Sequence, residues 1–449
     1  MASNHESQKH MSTAKKAPKK IAVPGFSFVR CEKGISEFVL KTNGLRVLHH
    51  ERKGTGVVTT NITYFVGSRD ESRGETGSAH MLEHMLFKPT IHDMKRGDDQ
   101  GESMRFETET GCIINANTWK DRTTYYYSYP KSYTERAIKI ESERMNGVVL
   151  TDESLAPERN NVLSEYDMYN GDPYFALSVA MAGAAIHSHT YGHETIGHRE
   201  DIESYNASIL DNFYKRYYRP DNAILMIVGD IDEKTALTLV KKYFTTTPKP
   251  HDLIPRLNLN EPKQEGLRRT SVERPSEMNI VSLGIKHPGF PSNDWYTVSC
   301  LFDVLTTGPE SVLHRALVDT GLASSVEGSL EPTKEENLGS ITITLAKDVT
   351  HANIEEKVLS IIRELNTKTI TPLLKNIKAR MLTDELFARD NSLRIVAELT
   401  EYASAGDWTY FNKTPDIINS ITPVMVQKAA GDYFKSKNMT IGYFIGTGS

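Results

Sequence analysis

Ser78-Ala-His-Met-Leu-Glu-His-Met-Leu-Phe87 is the segment from which the rest of the 449-residue chain is read. Its apolar residues recur at helical spacing, and the pattern predicts a helix with Ser78 as N-cap. On a helix, positions i and i+4 lie ~40° apart and i+3 lies ~60° to the other side. His80, Glu83 and His84 therefore share one face, while Met81, Leu82, Met85 and Leu86 cover the other. Two neutral imidazoles so placed can hold one Zn²⁺, with the carboxylate between them in reach of a water on the metal. The order is H-x-x-E-H, the reverse of H-E-x-x-H. The same residues would also suit an ordinary solvated helix face, so a third ligand has to be sought. Glu158-Arg-Asn-Asn-Val-Leu-Ser-Glu165 offers two carboxylates about two turns apart on one helix face. One can be the ligand and the other a supporting or proton-shuttling group.

Working outward, strands are expected at Gly44–His49 and Val57–Val66 before the motif helix, and at Cys112–Asn117 and Thr123–Tyr129 after it. Residues 89–103 read as an exposed polar loop. Helical patterns run from Ser132 to Met168 with a break near Thr151–Pro157, and again from residue 209, followed by a strand at Ala223–Val228. Thr246–Gly266 carries Pro248, Pro250, Pro255 and Pro262 and is the best linker in the chain. Tyr217-Tyr-Arg-Pro-Asp-Asn222 and Tyr433-Phe-Lys-Ser-Lys-Asn438 each precede an apolar strand ending in glycine, 216 residues apart. Either two similar α+β domains are joined by the linker, or two helix–strand junctions look alike by chance.

Composition excludes several classes. With 38% hydrophobic and 25% charged residues the chain is an ordinary globular protein, not a disordered or fibrous one. It has no apolar run near the ~20 residues that span a bilayer, so no membrane partner is expected. The net charge of −5 gives no case for nucleic acid. Residues 1–20 hold five lysines and one glutamate, about +4, leaving about −9 on the remainder. That stretch lacks the apolar core of a secretory signal, and a cytoplasmic location is expected. Cys31, Cys112 and Cys300 are too few and too scattered for a disulfide framework. His193-Glu-Thr-Ile-Gly-His198 is one residue too long to be a second metal motif, since i and i+5 diverge by ~140°.

Taken together, the ordered motifs resemble the pitrilysin/insulinase family of inverted-motif zinc peptidases. They are Val66-Gly-Ser-Arg-Asp-Glu71, Gly77–Lys88, Asn115-Ala-Asn-Thr118 with Thr124-Tyr125, Glu158–Glu165, His189-Thr-Tyr-Gly192 with Ile196-Gly197, and Tyr217–Gly229. The resemblance implies an α+β fold of two homologous αβ-roll domains, half of a clamshell. It places a disordered tail at 1–25, a zinc-binding catalytic domain at 26–247, a linker at 248–266 and an inactive domain at 267–449. It implies one Zn²⁺ per chain on His80, His84 and Glu165, with water at the fourth position, Glu83 as general base and Glu158 as supporting carboxylate. Peptide substrates would add as a strand near Ile113–Thr118, with Asn115 and Ala116 as the expected contacts.

There are departures from the family pattern. About 80 residues separate His84 from Glu165, some four more than usual, and the stretch Ile91–Ser103 can absorb them. Ser78 stands where leucine is common. The Arg…Tyr pair that faces the substrate carbonyl in active members falls on Leu317 and Ser324 and is absent. Cys300-Leu-Phe-Asp-Val304, opposite His80–His84 at an offset of about 220, cannot form an imidazole pair. The reading is therefore a zinc endopeptidase subunit whose partner, a homologous second subunit or a second copy, supplies the missing pair. The alternative is a non-catalytic assembly subunit that has kept the fold.

Overall fold

The computed structural model describes residues 23–257 and 259–448. Most of the basic N-terminal tail thus lies outside the described residues. Val23 does not belong to a disordered tail, because it is buried in the first core.

Seven strands form the first sheet: β1 (Phe26–Glu32), β2 (Ile35–Leu40), β3 (Arg46–Glu51), β4 (Val57–Tyr64), β5 (Ile113–Thr118), β6 (Thr123–Pro130) and β7 (Ala223–Gly229). Five form the second: β8 (Arg268–Arg274), β9 (Ile280–His287), β10 (Ala323–Ser329), β11 (Asn337–Leu345) and β12 (Met439–Gly446). Between Phe244 and Arg268 no helix or strand occurs among the described residues. The spatial orders are β1-β2-β3-β7-β4-β6-β5 and β10-β11-β9-β12-β8. Without β1 and β2, the first order becomes β3-β7-β4-β6-β5 and matches the second read backwards, β8-β12-β9-β11-β10. Each sheet has its one parallel pair at the same place, β3 with β7 and β8 with β12. The 216-residue sequence offset is thus the trace of a repeated topology.

The helices repeat as well. Asp152–Asn170 and Thr367–Phe387 both carry a proline as their sixth residue, Pro157 and Pro372. The helix that follows in each half crosses to the other half's sheet. Pro173–Ala185 lies on β8, β9 and β12, and Ser392–Ser404 lies on β4, β6 and β7. The first crossing is apolar and close: a Cβ on Gly442 would stand 2.5 Å from Met181 Sδ, and one on Gly284 2.8 Å from Met181 Cε. The second is mixed: Ile395, Val396 and Leu399 share an apolar cluster with Ile224, Met226 and Val228 of β7, beside polar contacts to β4. Thr59 and Ser392 hydroxyls meet at 2.7 Å, and Asn61 Nδ2 donates to Thr400 Oγ1 at 3.3 Å, all four residues being buried or nearly so.

Three sequence expectations need correction. Residues 89–103 are not one loop: Ile91–Lys95 and Glu102–Thr110 are helices. Thr90 accepts from Asp93 N while the Asp93 carboxylate accepts from Thr90 N, a reciprocal cap that starts the first of them. The break expected at Thr151–Pro157 falls at Val148–Thr151, and Pro157 lies inside the next helix, whose N-cap is Thr151. Ser78 is not the N-cap of the motif helix; Gly77 is.

On the helix Ser392–Ser404, Glu398 has its pKa pushed up to about 7, by burial first and then by Glu385 and Glu401. An acid raised in this way stabilises the fold below its unfolded pKa, near 4.5, and loses that contribution as pH rises through about 7. Glu398→Gln is therefore expected to raise stability at pH 8 by about 1 kcal/mol and to leave it unchanged at pH 4. Urea melts at the two pH values check this; an equal effect at both would exclude the titration of Glu398 as the cause.

Candidate metal centre

The motif helix runs Ser78–Met85, with Ala79, Met81, Leu82 and Met85 fully buried and its His–Glu–His face turned toward the helix Asp152–Asn170. His80 Nε2 stands 3.7 Å from Glu165 Oε2, and His84 Nε2 stands 3.9 Å from Glu165 Oε1. One donor atom from each residue lies within 4.8 Å of the others, the only such group among the described residues. These separations are too long for hydrogen bonds. A tetrahedral zinc with ligands at ~2.1 Å sets its donors ~3.4 Å apart, so the set fits after closing by a few tenths of an ångström. Two imidazole nitrogens and a carboxylate oxygen are also the donor chemistry zinc accepts at sites with an open position.

The two carboxylates left unassigned by spacing separate in space. Glu165 joins the histidines. Glu158 sits behind His84, its Oε2 accepting from Asn161 Nδ2 at 3.1 Å and lying 3.4 Å from His84 Nδ1, while Oε1 pairs with Lys88 Nζ. Burial works to raise the Glu158 pKa, but bonds from Lys88 and Asn161 hold it below the ordinary value. A carboxylate kept ionised behind one ring nitrogen orients the other toward a metal. His80 has no such support, since its Nδ1 is buried without a partner. Burial, with His84 adding to it, pushes the His80 pKa down to about 4, so the ring is neutral near pH 7.

Glu83 projects from the same helix, and Thr118 Oγ1 donates to its Oε2 at 2.6 Å. Burial raises the Glu83 pKa against the pull of that bond. Thr118 ends β5, the outer strand of the first sheet. Asn115 and Ala116 lie on the same strand. Ala116 N–H donates to Asn115 Oδ1 at 2.8 Å and not to a neighbouring strand, so that edge is closed only by a side chain. Beside Glu83 and His84 a cleft of about 440 Å³ is bounded by Phe87, Lys88, Met104 and Glu158. The longer segment between His84 and Glu165 thus contributes a wall of the cleft and leaves the ligand face intact.

Sequence reading gave no role to four residues that shape the site: Glu71, His193, Thr118 and Lys88. The first is the most telling. Its buried carboxylate accepts from Gly77 N at 2.8 Å and Ala79 N at 2.9 Å, and bonds His193 Nε2 at 3.0 Å. Gly77 has φ +85°, and a Cβ there would lie 2.5 Å from Ile196 O. The motif helix is therefore capped by a distant acid across a turn only glycine fits. Glu71 falls inside the quoted Val66–Glu71 stretch, so a signal was present, but no local pattern says which amides it would reach. The histidine-rich segment is structural: His193 holds Glu71, and His189 Nε2 meets Glu335 Oε2 at 2.8 Å.

In the second half, the helix Asn293–Thr306 stands where the motif helix stands in the first. Arg380, fourteenth residue of its helix as Glu165 is of its own, pairs with Asp303 at 2.9 Å. Cys300 Sγ rests 3.7 Å from Met381 Sδ. An ion pair and a sulfur contact fill the place that the histidines occupy in the first half.

Comparison with known proteins agrees with this geometry. The family model for insulinase (peptidase family M16) matches residues 46–199, and that for the peptidase M16 inactive domain matches residues 204–374. The chain belongs to the peptidase M16 family. His80, Glu83, His84, Glu158 and Glu165 all fall within the first match. The zinc protease PqqE of Helicobacter pylori is 27% identical over 411 residues, covering 90% of this chain and 91% of that one. A crystal structure of a protease from Helicobacter pylori shares the fold with a TM-score of 0.86 at 26% identity, over 91% of this chain and 99% of that one. The periplasmic protease PqqL of Escherichia coli shares the fold alone, with a TM-score of 0.69 at 18% identity, over 93% of this chain but 48% of that one.

Removing the Glu71 carboxylate leaves two helix-end amides and an imidazole without their acceptor. Glu71→Ala is expected to cost about 3 kcal/mol in a urea melt and to speed exchange of the Gly77 and Ala79 amide protons. Stability and exchange rates at the unsubstituted level would show that the helix end is held by something else.

Proposed function

We propose that the chain is the zinc-bearing subunit of an endopeptidase that hydrolyses extended peptides or unfolded protein segments. The observation that carries this reading is the joint placement of three convergent donors, a half-buried carboxylate and an outer strand capped only by a side chain. Thr118 links the last two, since it ends β5 and binds Glu83. His80, His84 and Glu165 would hold one zinc ion. Zinc bound there supplies Lewis-acid polarisation of a carbonyl and acidifies water.

The remaining chemistry belongs to the chain. Thr118 fixes Glu83 Oε2, which leaves Oε1 to take a proton from the attacking water. A carboxylate whose pKa is raised by burial is a better proton acceptor near neutral pH and can return the proton to the leaving amine. Glu158, ionised beside Lys88, keeps the His84 ring in place. A peptide laid along β5 would displace Asn115 Oδ1 from Ala116 N and pair through its main chain, so recognition would demand extension more than sequence.

A partner is part of the proposal. Leu317 is fully buried and Ser324 Oγ donates to Thr344 O at 3.4 Å, so neither position offers the guanidinium or phenol of the pair. PqqL, with about twice the length of this chain, supports the idea that a second half completes the site. An assembly role alone would not call for the His80, Glu83, His84 and Glu165 set.

Glu83→Gln should keep one zinc per chain and the fold, and lose roughly 10²–10⁴-fold in peptide hydrolysis. Zinc content and cleavage of an unstructured peptide are the measurements; near-normal cleavage would remove Glu83 from the mechanism, and a native chain that takes up no zinc would remove the reading. Mixing the chain with a family member that carries the Arg and Tyr should restore cleavage that the chain alone lacks. Full activity of the isolated chain would refute the need for a partner.

A further inference from the structure

We propose that the pocket beside Trp119, at the seam of the two halves, is a subsite for an apolar side chain of the bound peptide. This rests on the reading that peptides add to the β5 edge. Trp119 follows Thr118 directly, and its side chain is 46% exposed although it is one of only three tryptophans in the chain. Its main chain cannot continue the ladder: the N–H donates to Arg122 O at 2.8 Å and the carbonyl accepts from Ser68 N at 3.2 Å. Only the indole is presented to a chain passing the end of β5.

The pocket holds about 80 Å³, room for about three non-hydrogen atoms on the ~30 Å³ share of a liquid water. Its walls come from both halves, Trp119 and Arg122 from the first and Pro332 and Thr333 from the second. The charged groups around it already have partners. Arg122 is bonded to Glu401 and to Asn117 Oδ1. Lys120 Nζ donates to Tyr191 O at 3.1 Å and lies 3.6 Å from Glu331. Asp121 accepts from Tyr191 OH at 2.6 Å and from Lys334 N at 2.9 Å. A charged side chain entering here would lose water and meet no free counter-charge, whereas the tip of an aliphatic one would gain contact with the indole and Pro332.

The register follows from strand geometry. Ala116 to Trp119 is three residues, ~10 Å at ~3.3 Å per residue. The side chain that reaches the pocket belongs to the peptide residue about three positions from the one paired with Ala116. Because Pro332 and Thr333 form the far wall, the second half takes part in choosing the substrate without contributing to the chemistry.

The test uses the full zinc-loaded chain carrying Glu83→Gln, so that peptides bind without being cut. A fluorescein-labelled Ser/Thr host peptide is compared with versions in which one Leu, or one Asp, is walked along it, with affinity read by anisotropy. At one register Leu is expected to bind about tenfold tighter than Asp, with tryptophan emission moving to shorter wavelength. Trp119→Ala should lower that ratio below about twofold and leave the affinity for the host peptide unchanged. Pro332→Asp, on the opposite wall, should do the same if Trp119→Ala lowers the melting temperature. Host binding with no register dependence, or a ratio that survives both substitutions, overturns the subsite while leaving strand addition standing. Failure of every peptide to bind overturns strand addition and the subsite with it.

Discussion

A carboxylate at the start of a helix sets the geometry of this site. Glu71 is fully buried, bonded to two amides of the motif helix and to an imidazole, with no guanidinium or ammonium against it among the described residues. The positive end of the helix and the His193 N–H stabilise it, and in return it decides where that helix begins. Since His80, Glu83 and His84 follow within two turns, their direction relative to Glu165 is inherited from this one contact. At the other end Arg144 Nε donates to Leu86 O at 3.1 Å. The helix is held at both ends by buried charge, and its side chains need not hold it themselves.

The two halves form an internal comparison. They share strand order, the place of the parallel pair and the proline in the helix before the crossing one, yet among the described residues only the first carries convergent metal donors. In the other, Arg380 and Asp303 supply opposite charges where Glu165 and the motif helix face each other in the first. The framework therefore does not depend on a metal, because an ion pair can occupy the same gap between the same helices. What the first half adds is three convergent donors, with Glu165 standing 3.7 and 3.9 Å from the two imidazoles, too far for them to satisfy one another by hydrogen bonds.

The parts legible in the sequence were those with a local period or a local spacing. The His–Glu–His face, the helix carrying Glu158 and Glu165, and the strand ending at Gly229 all follow from helical or strand repeats. The strands β1 and β2 did not, because Ile35-Ser-Glu-Phe-Val-Leu40 carries Glu37 in a nearly fully buried strand. That acid is matched by Arg30, Arg46 and the indole N–H of Trp408, all at 2.8 Å, and one of these is 371 residues away. The helices at 91–95 and 102–110 were hidden by the opposite circumstance, since most of their residues are polar and only Asp93, Ser103 and Phe106 are buried. Spacing alone left Glu158 and Glu165 interchangeable and only the resemblance told them apart; the structure sets Glu158 against Lys88 and Asn161 and Glu165 beside the histidines.

The exchange of helices between the halves explains why the second sheet matters to a site it does not contain. Ser392–Ser404 packs Ile395, Val396 and Leu399 into one apolar cluster with Ile224, Met226 and Val228 of β7, and meets β4 through hydroxyl and amide groups. Polar contacts of this kind are worth little each in net free energy, but each bond is directional, and losing one leaves a buried group unsatisfied. From the same helix Glu401 reaches Arg122, in the turn that joins β5 to β6. The end of β5 is therefore tied to the second half on one side and to Glu83, through Thr118, on the other. A shift of that helix along the sheet would move the edge strand and the Thr118–Glu83 contact together. The polar seam thus fixes a register, while the apolar packing of Met181 against Gly284 and Gly442 keeps the halves in contact.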